Sequence, residues 1–207
     1  MTLNQTDFQK FFNPAHVAII GASAGEYKFG GTSFLMKLQE GGFAGTLYPI
    51  NPRAQEIRGL KAYADLPSLP MVPDLAIVCV AARYVPGILE DCARIGLRHI
   101  HILTSGFRET GLEEGKLLEQ QIVDIAGDKG LRVIGPNCMG PYCPSVGLTA
   151  WGAIPGLSGS VGIISQSGGL TQRLTEYTAS LGIGVDKAVS FGNAAVLDSP
   201  DFLEIMA

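Results

Sequence analysis

Short, nearly all-apolar runs alternate along this chain with stretches whose apolar residues recur at helical spacing. The runs at 17–20, 46–50, 75–80, 99–103 and 131–134 are β-branched and carry few polar residues, as strands covered on both faces do. Between them, 30–40, 85–95 and 113–129 predict helices. The last opens on Leu112-Glu113-Glu114, with acidic residues at the end that favours them, and closes at Lys129-Gly130. Strand–helix–strand alternation implies right-handed crossovers and an α/β fold: a Rossmann-like, doubly wound parallel sheet. From 136 to 160 the rhythm stops, and Pro136, Pro141, Pro144 and Pro155 fall among glycines. This stretch reads as a connection. A second alternation then begins, with a strand at 161–164, a helix at about 169–181, a strand at 185–190 and a helix from Ser199. The expected organisation is a domain over 1–145, a connecting segment over 146–160 and the first part of a second, flavodoxin-like α/β domain over 161–207. Because the last helix is still running at Phe202-Leu203-Glu204-Ile205-Met206, the end reads as a truncation.

Bulk composition narrows the classes. The 207 residues are 46% hydrophobic and 16% charged, which gives a globular core. A net charge of −4 offers no attraction to nucleic acid or to an anionic membrane. No apolar run approaches the ~18 residues of a membrane span. The four cysteines lack C-x-x-C spacing and no signal peptide is evident, so a reducing cytoplasm is the expected setting.

Two strands run directly into small-residue turns that precede helices: Gly21-Ala22-Ser23 and Ser165-Gln166-Ser167-Gly168-Gly169. Such turns leave backbone N–H groups free at a helix N-terminus, which suits phosphate. The first is a poor G-x-G-x-x-G, with Ser23 in place of the second glycine and Glu26 in place of the third. The second strand ends in Asn51-Pro52-Arg53, where an NAD site would carry an acid. A guanidinium there suits a phosphorylated ribose, as in NADP or the 3′-phosphate of coenzyme A; a solvated loop cation is the competing explanation. Ala81-Ala82, Ser105-Gly106-Phe107 and Pro136-Asn137-Cys138 close three further strands. Carboxyl ends of parallel strands line the ligand crevice of open α/β sheets, and five ends would make a crevice for an extended ligand. Cys138 has no evident base to activate it, and Ser167 lacks the first glycine of G-x-S-x-G. His16, His99 and His101 read as packed side chains, the latter two facing one side of the fourth strand. No metal site is expected.

In order, Phe12-Asn13-Pro14, Val17 to Ser23, Tyr48-Pro49-Ile50-Asn51-Pro52, Ser105-Gly106-Phe107, Ile134 to Gly140, Ile164 to Gly169 and Gly192-Asn193 resemble the NDP-forming acyl-CoA synthetases. The chain is similar to the CoA-binding domain of the ADP-forming acetate–CoA ligase type, related to the succinyl-CoA synthetase α subunit. The resemblance covers essentially the whole chain. It implies that coenzyme A binds in the first domain. Gly21, Ala22 and Ser23 would meet the CoA phosphates, with Lys28 and Gly30 at the mouth of that turn. Asn51, Pro52 and Arg53 would hold the 3′-phospho-ADP end. Ala81 and Ala82 would flank the nucleotide or pantetheine. Ser105, Gly106, Phe107, Pro136, Asn137 and Cys138 would line the path to the thiol. Ser165, Gln166, Ser167, Gly168 and Gly169 would hold a phosphate carried by a histidine.

The implied reaction joins a carboxylic acid to CoA with ATP, releasing ADP and phosphate through an acyl phosphate and a phosphohistidine. Mg and ATP would act through an ATP-grasp domain or β subunit. The phosphorylated histidine is expected downstream, so this stretch alone is expected to be inactive; a homo-oligomer is left open. Two departures stand out: Val80-Ala81-Ala82 where the family has a Val-Pro-Ala-like run, and the less acidic Ala194-Ala195-Val196-Leu197-Asp198. Two other readings remain at this point, a non-catalytic CoA- or acyl-CoA-sensing domain of a protein acetyltransferase and an NADP-dependent oxidoreductase.

Overall fold

In a computed structural model, which describes residues 3–24, 30–149 and 157–206, the predicted apolar runs form five parallel strands. They are β1 (His16–Ile20), β2 (Thr46–Ile50), β5 (Leu75–Val78), β6 (His99–Ile102) and β7 (Arg132–Ile134), in the order β2-β1-β5-β6-β7. Between β2 and β5 lies a small hairpin, β3 (Glu56–Ile57) and β4 (Leu60–Lys61). Its exit runs along the outer edge of β2. Ile50 and Tyr63 form a parallel bridge, and the Tyr63 and Asn51 N–H groups donate to the Pro49 and Tyr63 carbonyls. With that bridge counted as a rudimentary third strand, the order becomes the 3-2-1-4-5-6 of a dinucleotide-binding fold. The strand order therefore reverses between β1 and β5.

The helices are α1 (Gln5–Phe12), α2 (Gly31–Glu40), α3 (Val85–Ile95), α4 (Glu113–Lys129), α5 (Gly168–Ser180) and α6 (Ser199–Met206). Alternation along each strand sorts the core into two layers. Val17, Ile19, Leu75, Ile77 and Ile134 pack with Phe11, Phe34 and Leu38 of α1 and α2. Ala18, Ile20, Ala76, Val78, Ile100 and Val133 pack with Val85, Leu89, Ile122 and Ala126 of α3 and α4. Both faces of the sheet are covered, which is why these strands carry so few polar residues.

Besides the β3–β4 hairpin, two elements that shape the molecule are absent from the sequence reading. The first is α1, capped by a reciprocal pair: the Asn4 side chain accepts from the Asp7 N–H and the Asp7 side chain from the Asn4 N–H. The buried Asp7 also accepts from His99 Nε2 at 2.8 Å and lies 3.6 Å from Arg132. Burial opposes its charge, but these partners outweigh burial and hold its carboxyl below the usual range. Asp7→Ala would orphan both the cap and His99, so a loss of about 2 kcal/mol is expected in chemical denaturation. A loss below about 0.5 kcal/mol would mean that the aromatic face of α1 alone anchors it.

The second is β8 (Gly140–Tyr142), inside the stretch with no periodicity. Gly-Pro-Tyr carries no alternation to betray a strand, yet it pairs antiparallel with β10 (Val185–Ser190). On its other side β10 pairs parallel with β9 (Ser158–Ser165). The second unit is thus a three-stranded mixed sheet, β8-β10-β9, with α5 and α6. No helix among the described residues is long and apolar enough to cross a membrane.

Candidate functional site

The β1 turn is built by close approach. Gly21 has φ +97°, and a Cβ there would lie 2.5 Å from the Cys79 carbonyl oxygen. Across the turn, a Cβ on Gly31 would lie 2.6 Å from the Ala22 nitrogen. Two positions without side chains therefore let the α2 N-terminus press onto the end of β1. The Ser23 N–H donates to Thr32 Oγ1 at 2.9 Å, fixing the turn to the first turn of α2. Helix α2 has Gly30 as its N-cap, no side-chain cap and no acid in its first turn. No carboxylate of its own first turn opposes its leading N–H groups or the positive end of its dipole. Lys28 lies outside the described residues.

Asn51 acts as a strut. Its Nδ2 donates to the Ala22 carbonyl at 2.7 Å and its Oδ1 accepts from the Arg53 N–H at 2.8 Å. This Asx turn binds the β2 end to the β1 turn and turns the chain so that Pro52 and Arg53 are exposed. The Arg53 guanidinium makes no ion pair among the described residues. Beside these ends, at the reversal of strand order, opens a mostly apolar cleft of about 490 Å³, whose lining includes Gly21, Asn51, Pro52, Asp65, Leu66, Val80, Tyr84, Ile88 and Asp91. Sequence reading missed Asp65, Leu66, Tyr84 and Ile88. Only the rule that ligands sit where strand order reverses could have pointed to them. Ala81 and Ala82 turn the chain from β5 toward α3, with the Ala81 carbonyl accepting from the Tyr84 N–H. A Cβ on Gly106 would stand 3.3 Å from Ala82 Cβ, so the β5 and β6 ends adjoin.

A second cleft, of about 250 Å³, is lined by Leu103, Ser105, Asn137, Cys138, Met139 and Gly168. It brings together the ends of β6 and β7 with the turn of the second unit. Gly168 is forced small by Met139, whose Cγ would lie 2.5 Å from a Cβ there. Ser167 caps α5 by accepting from the Leu170 N–H, and no acid stands in the first turn. Ser165 Oγ accepts from the Ser167 N–H at 3.2 Å. Gln166 is tied to Gly192 in both directions, the Gly192 N–H donating to the Gln166 carbonyl and Gln166 Nε2 to the Gly192 carbonyl. Gly169 is open, with nothing within 4 Å of a Cβ.

Phe107 and Pro136 line neither cavity, and Cys138, which lines the second, brings no reactive thiol to it. The Phe107 side chain is wholly buried in the α3–α4 layer, and its N–H, like that of Gly106, donates to the Glu109 carboxylate. Pro136 is buried, and its carbonyl accepts from the Asn193 N–H. The Cys138 thiol is buried and pushed up in pKa by that burial, which removes thiolate character. All three histidines are engaged elsewhere: His16 with Tyr48, His99 with Asp7, and His101 with the Cys138 carbonyl at 3.1 Å. Among the described residues there is no cluster of His, Cys, Asp or Glu able to hold a metal ion.

A family model described as "CoA binding domain" matches residues 15–144. The chain belongs to the CoA-binding domain family. A second model, "Succinyl-CoA ligase like flavodoxin domain", matches residues 158–207. The chain is 40% identical over 198 residues, 95% of its length, to the ADP-forming acetate–CoA ligase II subunit alpha of Pyrococcus furiosus, of which it covers 42%. It is 37% identical over 200 residues, 96% of its length, to the ADP-forming acetate–CoA ligase I of Archaeoglobus fulgidus, of which it covers 29%. The solved dinucleotide-forming acetyl-coenzyme A synthetase 1 of Ca. Korarchaeum cryptofilum, in complex with phosphate and ADP, superimposes with a TM-score of 0.87 at 40% identity. That match covers 98% of this chain and 43% of the synthetase. This CoA-binding domain and its adjoining unit thus span less than half the length of those relatives.

Proposed function

We propose that this chain binds coenzyme A along the carboxyl edge of its parallel sheet and serves as the CoA-binding portion of an ADP-forming acid–thiol ligase. The observation that carries this reading is the pair of clefts. One lies where strand order reverses, beside the Gly21 turn and Arg53. The other joins the β6 and β7 ends to the N-terminus of α5. In this reading the 3′-phospho-ADP end of CoA occupies the first, with its pyrophosphate over Gly21, Ala22 and Ser23 and its 3′-phosphate near Arg53. The pantetheine passes Ala81, Ala82 and Ser105 toward the second. The N–H groups of the Ser165 to Gly169 turn there receive a phosphate.

The full reaction would be acid, CoA and ATP to acyl-CoA, ADP and phosphate. None of this chain's histidines faces either cleft, so the phosphohistidine and the ATP-grasp module, with Mg, would come from other parts of the enzyme. The acid substrate, the β subunit or domain and a cytoplasmic setting belong to the same proposal.

Calorimetry with CoA and dephospho-CoA tests it. Coenzyme A is expected to bind about tenfold tighter than dephospho-CoA, roughly the value of one charge-assisted contact. Arg53→Ala should remove that difference without changing dephospho-CoA affinity. Equal affinities in the unaltered chain would take Arg53 out of the site, and failure of both ligands to bind would sink the reading.

A further inference from the structure

The second cleft lies where the two units meet, and one side chain of the second unit is bonded there to segments that follow β6 and β7 of the first. Asn193 is buried at 6% exposure, in the turn after β10. Its Nδ2 donates to Glu109 Oε2 and to Glu119 Oε2, each at 2.7 Å. Its Oδ1 accepts from Asn137 Nδ2 at 3.3 Å, its N–H donates to the Pro136 carbonyl at 2.9 Å, and its own carbonyl accepts from Arg108. Every polar atom of the residue is thereby used, by partners on the first unit.

Glu109 continues the path. Its Oε1 accepts from the N–H groups of Gly106 at 2.5 Å and Phe107 at 3.1 Å, in the turn after β6. Burial works against its charge, and the Gly106 N–H, Asn193 and the Phe107 N–H more than offset that, holding the carboxyl below its ordinary range. On the other side Gly192 is bonded to Gln166, and a Cβ on it would lie 2.3 Å from the Pro136 carbonyl oxygen. Hydrogen bonds therefore link Gly106 to Glu109, Glu109 to Asn193 and, across the Gly192–Asn193 peptide bond, Gly192 to Gln166 at the entrance to α5.

We infer that Asn193, with Glu109 as its anchor, is a positioning residue for the second cleft, setting how far the β6 turn stands from the α5 N-terminus. Its functional consequence rests on the CoA reading above: the reach of the thiol end toward a phosphate on α5 is fixed here. Asn193→Ala removes both the donor and the acceptor. Glu109→Gln is subtler, because a glutamine can accept from the Gly106 and Phe107 N–H groups only by turning its own N–H₂ toward the Asn193 amide donor.

Two readouts separate positioning from folding. Spin labels at the exposed Gln121 of α4 and Arg173 of α5 report the spacing of the units. The parent is expected to give one narrow distance distribution, and both variants a broadened one. Calorimetry with adenosine 3′,5′-bisphosphate, which fills only the first cleft, should be unchanged in the variants, while CoA affinity falls about tenfold. An unchanged distance distribution in the variants, or equal losses for the two ligands, would overturn the inference. If neither ligand binds the parent, the CoA reading fails by itself and the distance measurement still decides the role of Asn193.

Discussion

Gly21→Ala is expected to lower stability by about 3 kcal/mol or more and to abolish coenzyme A binding. Two costs combine at this position. An alanine would have to adopt φ +97°, and its Cβ would meet the Cys79 carbonyl oxygen at 2.5 Å. Backbone strain of this kind costs about 1–3 kcal/mol and forced overpacking a similar amount. The carbonyl belongs to the residue following β5, so relief requires moving β1 and β5 apart at the point where strand order reverses. For a chain of this length the melting temperature should fall by roughly 10 °C. Gly59→Ala is the matched control, with φ +78° and nothing within 4 Å of a Cβ. It should cost only about 1 kcal/mol. Equal losses in the two variants would mean that close approach to Cys79 is not what the glycine provides.

The second large effect is acid sensitivity centred on His101. The ring is fully buried, and its Nε2 faces the Cys138 carbonyl at 3.1 Å, so that nitrogen carries the proton. Among the described residues Nδ1 has no hydrogen-bond partner, and Phe34 meets the ring edge-on. Burial lowers the pKa to about 4, the Cys138 carbonyl opposing only in part. In the unfolded chain the imidazole titrates near 6.5. Between those values the unfolded state binds the extra proton, so stability falls as pH drops from 6.5 to 4, by about 3 kcal/mol over the window. His99, also lowered by burial, acts in the same direction. Asp7, Asp74 and Glu109 are held low, so their contribution is present above the ordinary carboxylate range and is lost only at still lower pH. Denaturant midpoints from pH 7 to 4 should show the early decline. In His101→Phe, which starts less stable because the Cys138 carbonyl loses its donor, most of that decline should vanish. An unchanged slope in the variant would assign the proton uptake elsewhere.

The five-stranded sheet was legible because each strand is buried on both faces, and burial writes itself into the sequence as continuous apolar runs. Alpha 1 was not, because its signal is a reciprocal Asn4–Asp7 cap and an aromatic face that packs only once β6 and β8 exist. Strand β8 was not, since Gly140-Pro141-Tyr142 owes its extended form to β10, forty-five residues on. At the site, glycines that let backbones approach were visible as small residues after strands. Leu66, Tyr84 and Ile88 were not, as they come from loops and a helix face brought together by the strand order alone. Asn51 stood out as a ligand-holding residue; that its side chain also braces the β1 turn, through the Ala22 carbonyl and the Arg53 N–H, could not be seen in the motif. Asn193 drew notice only as part of a motif, because its partners, Glu109 and Glu119, are more than seventy positions away.

Beyond β10 the chain returns to the first unit. The N–H groups of Ala195 and Leu197 donate to the Gly135 and Val133 carbonyls, covering the outer edge of β7. The first sheet thus has its exposed flank closed by a segment that the family boundaries assign to its neighbour. Dividing the sequence between residues 144 and 158 would strip that flank and leave a bare strand able to recruit another chain. The seam along which such sequences are classified is therefore not the seam along which this protein would come apart.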